Sequence, residues 1–212
     1  MAYAYSAREV LTDAAIHVTG LMAAGTAAVM LMLHLAPSAS VVQVAAVGAY
    51  LGFLLFSLTA SAAYHLLPWE RSRDLLHRID HAAIYLKIAG TYTPLVVLMG
   101  SFFSYIILGC VWIIALIGAW AKMRFWATDA KGSLALYLSM GWMSVLLIPL
   151  MWTSLPGLVL GLIAVGGLLY TAGTFFFSRE NMQYQNAIWH AFVLAASSCF
   201  FAAIAMATTT PV

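Results

Sequence analysis

Three short stretches carry groups that bind metals or move protons, in a chain that is otherwise apolar. Ser61 and His65 are four residues apart, and so are Asn186 and His190. In a helix each pair shares one face. Asp80 stands between the two pairs in sequence and is followed directly by His81. His65, His190 and Asp80 supply two imidazoles and a carboxylate, the ligand types that zinc prefers. A His₂-carboxylate set with an open position is a known catalytic arrangement. Such a set makes water a nucleophile near neutral pH and polarises a carbonyl. Spacing leaves a second reading open, in which the same residues are interfacial groups wetted by headgroup water.

The elements that must position these residues are membrane spans. Of 212 residues, 64% are apolar and only 8% are charged, against about 25% charged in soluble domains. A spanning helix needs about 20 mostly apolar residues. Seven runs qualify, near 13–35, 41–65, 79–99, 103–121, 132–152, 157–177 and 188–208. The breaks between them are short, so neighbouring helices run antiparallel. The expectation is an all-α, seven-helix bundle forming one domain over 1–212.

The charges orient it. Arg8, Arg71, Arg73, Arg78, Lys122, Arg124, Lys131 and Arg179 all fall on the side of the N-terminus when the sides alternate, eight of the nine Lys and Arg residues. Short basic loops stay in the cytoplasm. The N-terminus is therefore expected inside and the C-terminus outside. The net charge of +2 and the scattered basic residues give no reason to invoke nucleic acid. The alternation also brings Ser61, His65, Asp80 and His190 to one depth, at the inner ends of the second, third and seventh helices.

Other residues read more plainly. His17 and His34 are taken as helix-end residues, and His77 as solvated in a basic loop. His81 points about 100° away from Asp80 around the helix. Cys110 and Cys199 have no metal or disulfide spacing and read as small buried hydrophobes. Lys87, the ninth basic residue, lies inside the third helix. It sits about 10.5 Å along the axis from Asp80, toward which it can snorkel.

The stretches Ser61-Ala62-Ala63-Tyr64-His65, Arg78-Ile79-Asp80-His81-Ala82-Ala83-Ile84-Tyr85, Ile88-Ala89-Gly90-Thr91-Tyr92-Thr93-Pro94 and Ile188-Trp189-His190-Ala191-Phe192-Val193-Leu194 resemble the hemolysin III family. That family belongs with the progestin and adipoQ (adiponectin) receptors. The resemblance spans nearly the whole chain. It implies a seven-helix bundle with zinc near the cytoplasmic face, held by one histidine on the second helix and an H-x-x-x-H pair on the seventh, with a serine and an aspartate beside it. His65, Ser61, Asp80 and His190 match four of these positions. Asn186 stands where the first histidine of the pair belongs, and Phe200 where many members have a further histidine. An amide is a poor zinc ligand, so zinc is expected to bind weakly, with Asp80 completing His₂Asp, or not at all, with the Lys87 ammonium replacing its charge.

Two functions follow as expectations. One is a zinc-dependent hydrolase of lipid amides or esters, ceramidase-like, in which Asp80 and Ser61 are catalytic and which serves membrane lipid homeostasis. The other is a non-catalytic lipid sensor or a membrane-perturbing, haemolysin-like factor. Either would be an integral protein of the plasma membrane whose partners are membrane lipids.

Overall fold

The computed structural model describes residues 6–124, 130–179 and 181–209. Their helices are α1 (Ala7–Leu35), α2 (Val41–Leu66), α3 (Arg73–Met99), α4 (Phe102–Arg124), α5 (Ala130–Trp142), α6 (Ile148–Ser154), α7 (Gly157–Phe177) and α8 (Gln185–Thr209). No strand occurs among the described residues. The side chain of Lys131, counted above among the loop cations, lies outside the described set.

Among the described residues, seven crossings are long and apolar enough to span a membrane. The fifth is composite: α5 passes through a 3₁₀ turn at Met143–Leu147 into α6, which Pro149 opens. A change of helix type inside an apolar layer frees carbonyls that no lipid can satisfy. Here the Tyr92 hydroxyl of α3 lies 2.8 Å from both the Met140 and the Gly141 carbonyl and shares its one proton between them. Tyr137 on α5 donates in turn to the His81 carbonyl at 2.9 Å, which ties α5 to the start of α3.

Most helices run past their apolar stretches. α1 begins at Ala7 instead of near 13, because Ser6 and Glu9 form a reciprocal capping box that satisfies the first orphan N–H groups. Ser40 and Gln43 do the same for α2. α3 ends at Gly100, whose φ of 60° closes the helix in a left-handed turn that favours glycine. Arg78 donates to the Met123 carbonyl at 3.3 Å, near the end of α4.

α3 is the most buried helix. It packs between α2 and α4 and touches α8, while α1 leans on both α2 and α8, and α8 pairs along its length with α7. Close approach rests on small residues, as it does where lipid offers no hydrophobic drive between helices. A Cβ on Gly118 of α4 would lie 2.6 Å from the Tyr85 ring, and one on Gly166 of α7 would lie 2.8 Å from Phe200. Phe200, at the position of the family's additional histidine, is thus a packing residue. Cys110 departs from expectation: it is exposed on the outer surface of α4, where apolar character is favoured by lipid as well as by a core.

Candidate metal centre

The start of α1, the end of α2 and the starts of α3 and α8 meet at one end of the bundle. There they wall the polar end of a cavity of about 1240 Å³. Ser61, His65, Asp80, Asn186 and His190 all line it, and so do Glu9, Asp13 and His17.

Asp13 is the hub. His190 Nδ1 donates to Asp13 Oδ1 at 2.6 Å, His17 Nδ1 lies 3.6 Å from the same oxygen, and His65 Nδ1 lies 3.8 Å from Oδ2. The three imidazoles cluster closely. Ring centroids are 4.3 Å apart for His17 and His190, 4.6 Å for His65 and His190, and 5.6 Å for His17 and His65. Asp13, His17 and His190 are all buried.

The hydrogen bonds assign the tautomers. His17 Nδ1 faces the Asp13 carbonyl at 2.9 Å, and a carbonyl only accepts, so this nitrogen carries the proton. The carboxylate opposite His190 Nδ1 imposes the same choice. Both rings therefore turn an Nε2 lone pair inward, and both lone pairs face the Ser61 hydroxyl, at 3.3 and 3.5 Å. One hydroxyl has one proton. Asp80, which also interacts with the Ser61 side chain, competes for it. At least one imidazole lone pair is left for a cation.

Zinc fits this donor set. One ligand atom from each of Asp13, His17 and His190 lies within 4.8 Å of the others, and Zn–N bonds of 2.0–2.1 Å would draw tetrahedral ligand atoms in to about 3.4 Å apart. An imidazole whose far nitrogen donates to a carboxylate or a carbonyl is the usual metal-bound form. His190 was expected at this centre from the sequence. His65 and Asp80 line the cavity beside the three-residue group, and Asn186 lies one helical turn before His190, half-buried.

His17 corrects its reading as a helix-end residue, since it is buried ten residues into α1. Asp13 escaped attention because the apolar run begins there. The available signal was their i, i+4 spacing at the same end as the other pairs, with the Ser6-x-x-Glu9 capping pattern setting the helix start before them. Lys87 makes no contact ion pair with Asp80 among the described residues, and its Nζ lies over the Tyr170 ring, 5.1 Å from the centroid.

Fold and site together define a multi-pass helical membrane protein with a buried histidine–aspartate centre at the polar end of a large, mostly apolar cavity. The family model "Haemolysin-III related" matches residues 6–201. The chain is similar to the "Hemolysin-3 homolog" of Bacillus subtilis (strain 168), 32% identical over 199 residues that cover 93% of each protein. It is similar also to "Hemolysin-3" of Bacillus cereus, 33% identical over 197 residues, 92% of this chain and 89% of the other. The chain belongs to the haemolysin-III related family.

Proposed function

We propose that this protein hydrolyses an amide or ester bond of a membrane lipid at the Asp13–His17–His190 centre, with the site facing the cytoplasm. The observation that supports it is the convergence of two oriented imidazole lone pairs and two carboxylates around Ser61, where the polar end of a lipid-sized cavity meets its apolar wall. Asp13, His17 and His190 would hold zinc, with His65 adjacent, and the bound ion would supply Lewis acidity that brings the ionisation of water toward neutral pH. The residues divide the remaining work. Asp13 holds His190 in one tautomer. Asp80 accepts a proton from the attacking water and can return it to the leaving group. The Ser61 hydroxyl donates to the oxygen that gains charge as the carbonyl is attacked. The Asn186 amide can donate to the substrate's carbonyl, a role that its poor metal affinity leaves open. The apolar wall accepts acyl chains.

The test is fatty-acid release from ceramide and from ester lipids in proteoliposomes with added zinc. Turnover that is lost in His190→Ala and in Asp80→Ala supports the reading, and no release from any amide or ester lipid overturns it. Asn186, in place of a family histidine, favours one second reading, a sensor that binds lipid without cleaving it. The relatives' name implies lysis, and dye leakage from the same vesicles without turnover would support that role instead.

A further inference from the structure

Lys87 is the one described cation that lies well inside the bundle away from the basic end. It is 6% exposed. Among the described residues its ammonium has no hydrogen bond and no ion pair, and one contact is recorded for it, the face of Tyr170. A ring face covers one side of an ammonium that has three donors. Asp80 feels its charge but lies about two helical turns away along α3. An ionised group this deep is costly unless paired, and where it persists it marks a ligand or ion pathway.

Its surroundings say what would pair with it. Lys87 lines the same cavity as the metal centre, on the α3 face that continues through Thr91 and Leu95 to Met99. That face gives about 18 Å of wall at 1.5 Å per residue. On the opposite side the cavity is lined by Val145, Ile148, Trp152 and Leu168, all exposed on the outer surface of the bundle. The cavity therefore opens sideways to the hydrocarbon layer between the fifth crossing and α7. A ligand that enters there is an amphiphile. One ammonium matches one negative charge, so a phosphomonoester dianion would lack a second cation at this depth.

We infer that Lys87 and Tyr170 form an anion post in the middle of the cavity, which seats the carboxylate of a single-chain lipid whose tail runs along the α3 wall. The post is separate from the metal centre and does not depend on hydrolysis there. The carboxylate can come from a cleaved lipid or directly from the bilayer.

The experiment is displacement of cis-parinaric acid, a fluorescent long-chain carboxylate, from purified protein by dodecanoate, dodecanol and dodecyl phosphate. Dodecanoate is expected to compete at least about tenfold better than dodecanol, a ratio worth about 1.4 kcal/mol. Lys87→Met should abolish that ratio without changing dodecanol, and Lys87→Arg should preserve it. His190→Ala should leave it intact, which separates the post from the proposed chemistry. Equal competition by dodecanoate and dodecanol in the wild type, or an unchanged ratio in Lys87→Met, would overturn the inference. So would a preference for dodecyl phosphate over dodecanoate.

Discussion

The Glu9 carboxylate of α1 accepts the backbone N–H of Tyr184 at 2.8 Å, across 175 residues of chain. Its other oxygen accepts from the backbone N–H and hydroxyl of Ser6, at 2.8 Å each. One buried side chain therefore caps the first helix and holds the loop before the last. The held residue is in an unusual state, since Tyr184 has φ of 56°, a left-handed conformation that costs about 1–2 kcal/mol in a residue with a Cβ. α8 starts at the next residue, so this clasp sets where His190 meets Asp13.

Loss of the clasp should cost stability and loosen the centre together. Glu9→Ala removes three hydrogen bonds to a charged acceptor, and about 2 kcal/mol or more of destabilisation is expected. Thermal unfolding in detergent would show it, and Glu9→Gln should lose less. An unchanged midpoint in Glu9→Ala would mean that α1 and α8 are held in register by other contacts.

The metal centre makes a sharper prediction. Purified protein should carry zinc, and His17→Ala and His190→Ala should each deplete it, because each removes an oriented imidazole. Asp13→Asn should also weaken retention, because it replaces the carboxylate of the group with an amide, a poor zinc ligand. His34, exposed at the far end of α1, is the control, and His34→Ala should keep full occupancy. Metal analysis and the visible spectrum of the cobalt-substituted protein read this without any assay of turnover. Retention of zinc in His17→Ala would return the centre to His65, His190 and Asp80.

The sequence made part of this centre legible, and the physical reason for the rest is local. Seven crossings follow from apolar runs interrupted by short polar breaks, since lipid demands both length and helical hydrogen bonding. Ser61, His65, Asp80 and His190 stood out because each lies just inside a helix end that the charge alternation fixes. Asp13 and His17 did not, because hydropathy marks where apolar residues begin and says nothing of where hydrogen bonding begins. The capping box at Ser6 and Glu9 starts α1 six residues before the apolar run, and that moves Asp13 and His17 from the boundary into the site. The composite fifth crossing was hidden for a related reason. Its carbonyls are satisfied by Tyr92 from another helix, a contact that no local pattern records.

Close helix packing supplies a test of the α3–α4 contact. A Cβ at Gly118 would sit 2.6 Å from the Tyr85 ring, whereas one at Gly109 on the same helix meets nothing within 4 Å. Tyr85 is itself pinned against Tyr137, with ring centroids 4.5 Å apart, so it has little room to yield. Gly118→Ala should cost about 1–3 kcal/mol, as overpacking does. Gly109→Ala should be neutral or slightly stabilising, since alanine is the better helix former. Paired thermal melts decide it, and equal effects at the two positions would contradict the packing described.

The direction in which the bundle sits in the membrane can be measured from two loops. Ser38 follows α1 and Arg71 precedes α3, and both are exposed. The basic residues gather at the end that carries Arg71, the same end as the metal centre, and short basic loops are retained in the cytoplasm. In a background without Cys110 and Cys199, a cysteine introduced as Ser38→Cys should react with a membrane-impermeant maleimide applied to intact cells. Arg71→Cys should react only once the membrane is opened. The opposite pattern would place the histidine cluster on the outer face, and a substrate drawn from the inner leaflet would then be excluded.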